Sequence, residues 1–287
     1  MRDVAEIAVI GGTGAYQLEG LTELEEIEVM TPFGSPSSSI KIGSFQNNRI
    51  AFIARHGEEH TIPPSDINYR ANIYALKSLG VKRIISISAC GSLRDDYAPG
   101  DIVIPNQLVD FTKDRKRTFF DTGLVVHVSM ADPFCNTLSN QLYEAAIQTG
   151  ANIHKGGSFI TIEGPRFSTK AESNLFRSWG MSIIGMTTSP EAFLAREAEM
   201  CYAAFAHVTD YDVWHQNEES VTVEAITKIL HHNKNLAQET LSYLIPSLID
   251  TECDCHSALQ SGLTTTNQGI STEQKKKLGL LIDKYIS

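Results

Sequence analysis

The stretch Ala203-Ala-Phe-Ala-His-Val-Thr-Asp-Tyr-Asp212 is an apolar run closed by two carboxylates with one residue between them. Read as a strand, its alternation puts Asp210 and Asp212 on one face, so that both acids project from the carboxyl end. Two readings of such a pair are open. Acids after a strand cap the free N–H groups of a following helix and favour its dipole; they also accept hydrogen bonds from a ligand that offers donors. Working outward, the same punctuation recurs upstream. Ala5–Ile10 runs into Gly11-Gly-Thr-Gly14, Arg49–Ala54 into Arg55-His-Gly-Glu-Glu-His60, and Val81–Ser88 into Ser88-Ala-Cys-Gly-Ser-Leu93. Ser158–Ile162 leads to Glu163-Gly-Pro-Arg-Phe-Ser168, and Ile183-Ile-Gly-Met-Thr-Thr-Ser-Pro-Glu191 follows. Helical spacing fills the gaps at Asn68–Leu79, Asn136–Gln148, Lys170–Trp179 and Glu191–Glu199. Strands alternating with helices predict an α/β fold, in which ligands sit outside the carboxyl ends of the strands.

Composition narrows the partners. A chain of 287 residues, 42% hydrophobic and 20% charged, is long enough to bury one large core. A formal charge of -10 and a pI near 5.4 argue against nucleic acid or an acidic membrane as the main partner, and leave room for a small anion in a local positive pocket. The first ten residues lack the apolar core of a signal peptide, and no run reaches the roughly 18 apolar residues of a membrane span. A cytoplasmic location is the expectation. The five cysteines at 90, 135, 201, 253 and 255 look scattered, and Cys253-Asp-Cys255 lacks a second Cys or His pair for zinc. Free thiols at the surface, or a redox couple, are the two readings of that pair.

Each loop has its own chemistry. The glycines after Ile10 let backbone N–H groups close on an anion, with Thr13 adding a hydroxyl; a tight structural turn explains them equally. A dinucleotide fingerprint is not met, because Gln17 stands where the third glycine belongs. Arg55, at a strand end beside a glycine, is placed to hold an oxyanion with its planar fork, the alternative being a surface salt bridge. His56 and His60 have no obvious third metal ligand. Val221–Leu248 reads as a long amphipathic helix, Ser257–Ser271 as a flexible linker and Thr272–Ile286 as a short helix.

Taken together, these loops resemble the purine nucleoside phosphorylase family, most closely its 5′-methylthioadenosine phosphorylase branch. The matching blocks are Gly11–Gly14, Arg55-His56 with His60-Thr-Ile-Pro-Pro-Ser65, Ser88–Leu93, Pro99–Ile104, Met130–Phe134, Ile162–Phe167, Met186–Glu191 and Thr209–Asp212. They stand in family order and span most of residues 5 to 230. The resemblance implies one phosphorylase domain over 1–250, a mixed central sheet flanked by helices, followed by a C-terminal extension over 251–287 that the family pattern does not reach.

The reaction the resemblance implies is phosphorolysis, with phosphate attacking C1′ of a purine nucleoside through an oxocarbenium-like transition state. Phosphate would be cradled by Thr13, Arg55, His56, Ser88, Ala89 and Thr187. Ile184 and Met186 would border the sugar, Phe167 would pack on the purine and Ser168 would read its edge. Asp210, protonated or sharing a proton with N7, would be the catalytic acid and Asp212 would accept from the 6-amino group, with one proton held between the two acids. Acceptors at that position favour adenine over a 6-oxopurine. His60, His127, Val223 and Ile226 would line the 5′ pocket, with His127 given by a neighbouring subunit of a trimer or dimer of trimers. Inorganic phosphate is the co-substrate, and no cofactor or metal is expected. Gly185 stands where many methylthioadenosine enzymes carry Asn, which resembles the general purine branch. The alternatives are therefore a broader nucleoside phosphorylase, acting on adenosine, inosine or guanosine, and a nucleoside-binding module without catalysis. A dinucleotide-dependent oxidoreductase comes third.

Overall fold

The computed structural model describes residues 4–12, 20–215, 223–248 and 253–286, the backbone alone over 223–232. Among these residues eleven strands form one mixed sheet. They are β1 (Ile7–Gly11), β2 (Thr22–Ile27), β3 (Ile40–Phe45), β4 (Asn48–Ala54), β5 (Arg83–Ser92), β6 (Ile102–Ile104), β7 (Gln107–Phe111), β8 (Ile153–Lys155), β9 (Ser158–Ile162), β10 (Ile183–Gly185) and β11 (Cys201–Asp210). The helices are α1 (Tyr69–Ser78), α2 (Asn136–Ala146), α3 (Lys170–Ser178), α4 (Thr188–Glu197), α5 (Val223–Ser247) and α6 (Thr272–Ile282). The α/β architecture expected from the sequence is the one observed.

β1, β5 and β11 are buried along nearly their whole length, without alternation, because both their faces are covered. Ala8 and Ile10 of β1 join the core beneath α1, α4 and α6, whereas Ile7 and Val9 join the core beneath α2 and α5. Local signals start the helices: Asn68 caps α1, and Thr169 with Glu172 closes a capping box on α3. The β3–β4 hairpin turns through Gln46 and Asn47, both at positive φ. β2, Thr-Glu-Leu-Glu-Glu-Ile, gave no strand signal, since as an edge strand it is exposed along nearly its whole length.

β5 is where the sheet divides. One side pairs in parallel with β11 throughout. Its other side pairs with β1 as far as Ile87 and then with β10 from Gly91. Ser88, Ala89 and Cys90 lie between those pairings, so the sheet opens at the carboxyl end of β1.

The tail corrects the reading of Ser257–Ser271 as a flexible linker. Leu259, Ile270, Leu278, Leu281 and Ile282 are buried in the same core as α1 and α4. Val126 forms a bridge with Leu263, and the His127 N–H donates to the Gly262 carbonyl at 2.8 Å. The polar composition covers the outer surface of a segment whose few apolar residues all point inward. Among the described residues no helix is long and apolar enough to cross a membrane.

Candidate active site

At one end of the crevice the backbone is pressed against a buried cation. A Cβ on Gly12 would sit 2.6 Å from Arg55 Nη1 and 2.6 Å from the Ile87 carbonyl, so only glycine fits. Arg55 directly follows β4 and is wholly buried. It is no surface ion pair: Nε and Nη2 donate to Glu191 Oε2 and Oε1 at 2.7 and 2.9 Å, and Nη2 also reaches Ser86 Oγ at 2.6 Å. Glu191 is held in turn by Ser86 Oγ at 2.9 Å and Tyr202 Oη at 2.8 Å. The two-toothed edge of the guanidinium is thus taken by protein. What faces Gly12 is Nη1, which donates to the Ile87 carbonyl at 3.2 Å. Burial would lower the Arg55 pKa, but the Glu191 carboxylate outweighs it and the group is raised.

His56 is buried next to this cation, and its Nδ1 lies 2.9 Å from the Ile62 carbonyl. Since a carbonyl only accepts, Nδ1 carries the proton and Nε2 of the neutral ring is an acceptor. Burial first, and the Arg55 charge second, push the ring down to about 4. His60 packs on it with ring centroids 4.4 Å apart. Ser88 and Thr187 are buried at the opening, with Thr187 at the start of α4 four residues before Glu191. Neighbouring hydroxyls of Thr188 and Ser189 are buried without a hydrogen-bond partner. Thr13 lies outside the described residues.

Three residues further along β5, about 10 Å at strand rise, stands the other end of the site. A Cβ on Gly91 would be 2.9 Å from Asp210 Oδ1, 3.1 Å from Ile184 Cγ2 and 3.3 Å from Asp212 Cβ. The two acids do meet, though not by strand alternation. β11 shifts register between Val208 and Asp210, and Asp212 is at φ 51°, opening a short 3-10 turn. Asp210 Oδ1 accepts from the Asp212 N–H at 2.8 Å and Oδ2 from Thr209 Oγ1 at 2.7 Å. The capping reading is not met as expected: the cap position of the short turn is Tyr211, without a side-chain cap bond, and Asp210 holds the N–H two residues on while staying beside the site.

Asp212 is displaced toward neutrality. Burial, reinforced by the Asp210 charge, pushes it up to about 6. Its Oδ2 is buried and completes no hydrogen bond, as is Ser168 Oγ.

Arg115, which lies in none of the sequence blocks, fastens the loops around this crevice. Its Nη1 donates to the carbonyls of Met186 and Ser189 at 2.6 and 2.8 Å, and its Nη2 to that of Glu163 at 2.6 Å. Nε pairs with Glu163 Oε1 at 3.0 Å. Gly164, at φ 65°, completes the join: a Cβ there would fall 2.6 Å from Met186 Sδ. Neither Arg115 nor Glu191 had a local signal, because the ion-pair partner of each lies more than 45 residues away. A cavity of about 220 Å³ opens on the same side, bordered by Ile162, Glu163, Ser168 and Phe176.

The remaining expected residues divide. Ile184 is buried at the base end, Met186 is half-buried, and Phe167 is exposed at the rim. His127 is exposed, and its backbone is tied to the tail. The backbone of Val223 and Ile226 opens α5, and their side chains lie outside the described residues.

A crevice with a buried cation and hydroxyls at one end and paired acids at the other, on a divided mixed sheet, is the layout of a nucleoside phosphorylase. The chain belongs to the phosphorylase superfamily, whose family model matches residues 6–246. It is 49% identical over 283 residues to the S-methyl-5'-thioadenosine phosphorylase of Geobacter sulfurreducens, covering 98% of this chain and 99% of the relative. The enzyme of that name from Thermofilum pendens is 50% identical over 259 residues, 90% of this chain and 98% of the relative. Among solved structures, a methylthioadenosine phosphorylase from an antarctic soil metagenomic library superposes with a TM-score of 0.93 at 42% identity, covering 98% of this chain and all of that one. The Schistosoma mansoni methylthioadenosine phosphorylase in complex with adenine gives 0.83 at 34% identity, covering 90% and 98%. The Geobacter alignment also carries the likeness into the tail, which the motif blocks alone did not reach.

Proposed function

We propose that this enzyme cleaves 5′-methylthioadenosine with inorganic phosphate, releasing adenine and 5-methylthioribose 1-phosphate. The observation that carries the proposal is the carboxylate pair packed against Gly91, three residues of β5 beyond the anion end. Phosphate lies at Gly12, Ser88, Ala89 and Thr187, under the single N–H edge of Arg55. The bare Nε2 of His56 accepts a hydrogen bond from the hydroxyl of the phosphate. A phosphate oxygen attacks C1′, the glycosidic electrons pass into the purine, and N7 gains the proton shared by the acids through Asp210. Asp212 accepts from the 6-amino group, a role its unpaired buried oxygen is suited to. Thr13, Ile184 and Met186 border the sugar and its phosphate, Phe167 and Ser168 the base, and His60, Val223 and Ile226 the methylthio end. His127, exposed in a single chain, is supplied across the contact of a trimer or dimer of trimers. The location is cytoplasmic, and no cofactor beyond phosphate takes part.

The test is base release from methylthioadenosine, adenosine and inosine with and without phosphate. Phosphate-dependent release of adenine, fastest from methylthioadenosine, is expected; a preference for inosine overturns the assignment of the acids. Gly185 favours one second reading, an enzyme that also accepts adenosine, and equal rates on the two adenine nucleosides would establish it.

A further inference from the structure

Four of the five cysteines, scattered in sequence, converge in space. The sulfurs of Cys135, Cys201, Cys253 and Cys255 all lie within 4.8 Å of one another, and only Cys90 stands elsewhere. The surface-thiol reading of Cys253-Asp-Cys255 is corrected by this: Cys255 is buried with Cys135 and Cys201, and Cys253 is half-covered. Cys135 is the cap residue of α2, Cys201 begins β11, and the other two belong to the tail. A single missing ligand pair had counted against zinc in the sequence. The fold supplies it from residues more than 50 positions upstream.

We propose that these four thiolates bind one soft divalent cation, zinc by chemical class, as a closed structural site that fixes the tail to the catalytic body. A tetrahedral zinc–thiolate site has bonds of about 2.3 Å, which places its sulfurs about 3.8 Å apart. The observed cluster is close to that size, with Cys135 and Cys253 at 3.5 Å. It is a group of four mutual neighbours rather than two bonded pairs, and no sulfur–sulfur bond joins them.

The surroundings suit the charge. Four thiols give up four protons as the cation binds, leaving a net charge of two minus with no change of oxidation state. Arg196 Nη1 lies 3.4 Å from Cys255 Sγ, and the Leu138 N–H at the start of α2 donates to Cys135 Sγ at 3.4 Å. His256 Nε2 is 3.6 Å from Cys201 Sγ, and the charges of Arg83 and Lys77 act on the same ring. Donors and cations of this kind orient and neutralise a thiolate site.

The site has a mechanical consequence. Cys135 and Cys201 sit within the span of the family match, and Cys253 and Cys255 beyond it. The segment they pin carries Gly262, whose carbonyl accepts from the His127 N–H, and Thr265, whose Oγ1 accepts from the Val125 N–H. The metal therefore acts at a distance from the reacting atoms, by holding the tail and the chain segment before α2.

The full chain, purified without chelators, should contain about one zinc per chain, released by an organomercurial that titrates the thiols. Metal-free reduced protein given cobalt should develop the thiolate charge-transfer and tetrahedral d–d absorption bands. Loading with zinc should raise the melting temperature by several degrees. The Cys253→Ser/Cys255→Ser double variant should lose the metal, and Cys90→Ser should keep it. Should the double variant fail to fold, the cobalt spectrum of the wild-type chain decides alone. Absence of bound zinc together with no cobalt bands overturns the proposal. So does a non-reduced, alkylated chain whose mass shows two disulfides among these four cysteines.

Discussion

Arg55 and Glu191 form a two-point ion pair in the core, Nε to Oε2 at 2.7 Å and Nη2 to Oε1 at 2.9 Å, with both side chains at 1% exposure or less. The pair joins the end of β4 to α4 and so fixes the two sides of the anion crevice. It converts the arginine from a free clamp into a preset one, whose single remaining edge is aimed at Gly12. Nothing needs to reorganise there when an anion arrives, which is the condition for strong electrostatic stabilisation.

Removing Glu191 alone is expected to be severe. Glu191→Gln leaves a buried guanidinium without its countercharge, a loss of roughly 3–5 kcal/mol. Chemical denaturation should show a lower midpoint with an unchanged slope. Pairing Arg55→Met with Glu191→Leu should recover much of the stability and none of the activity. An unaffected midpoint in the single variant would contradict the account.

The acid pair should leave a signature in pH. The folded Asp212 value of about 6 lies above its ordinary 3.8, so its contribution to stability is present below about pH 4 and is lost as pH rises through about 6. The full effect is roughly 3 kcal/mol at most, from about 1.4 kcal/mol per unit. His56 has the opposite sign: its folded value of about 4 is depressed from 6.5, so its contribution is present above about pH 6.5 and fades as pH falls through 4. The wild-type profile mixes the two. The difference between wild type and Asp212→Asn isolates the first, and melting temperatures should converge near pH 4 while the variant is the more stable above pH 7. Parallel profiles would remove the burial argument.

Catalysis separates the two acids. Asp210→Asn should reduce kcat on methylthioadenosine by about 10²- to 10⁴-fold, the usual reach of general-acid catalysis. Asp212→Asn places a donor where the adenine amino group donates, and should raise KM for adenine nucleosides while easing inosine. Equal turnover by wild type and Asp210→Asn would remove the acid role; binding without turnover in both would leave a nucleoside-binding module.

Gly185 shows how much was legible in sequence and how much was not. The glycine, the strand ends and the order of the loops could all be read locally, because turn chemistry and apolar runs are properties of neighbouring residues. What could not be read is the Phe159 ring, 2.7 Å from where a Cβ on residue 185 would be. The missing asparagine is thus a packing exchange across β9 and β10 as much as a choice of substrate. Arg115, Glu191 and the cysteine cluster were hidden for the same reason, each depending on contacts made only after the sheet forms. Gly185→Asn should therefore destabilise the chain, and Phe159→Ala, itself destabilising, should cost less in the Gly185→Asn background than alone. Additive losses in a double-mutant cycle would show that the ring and residue 185 do not compete.

Arg115 provides the sharpest separation of architecture from chemistry. One guanidinium serves carbonyls in the 162–163 and 186–189 loops and the Tyr69 hydroxyl, which itself donates to Pro64. Lysine keeps the charge and loses the fork, and one ammonium cannot reach acceptors on opposite sides of the crevice. Arg115→Lys should thus leave two or more buried carbonyls unpaired, each costing about 1–3 kcal/mol. The loops it releases carry Met186, Thr187 and Ser168, so KM for phosphate and for nucleoside should rise together. The acids stay on β11 and its following turn, so kcat should fall by less than in Asp210→Asn. A variant whose KM values are unchanged while kcat collapses would show that Arg115 acts on the reacting atoms, and would move it from the frame of the site into its chemistry.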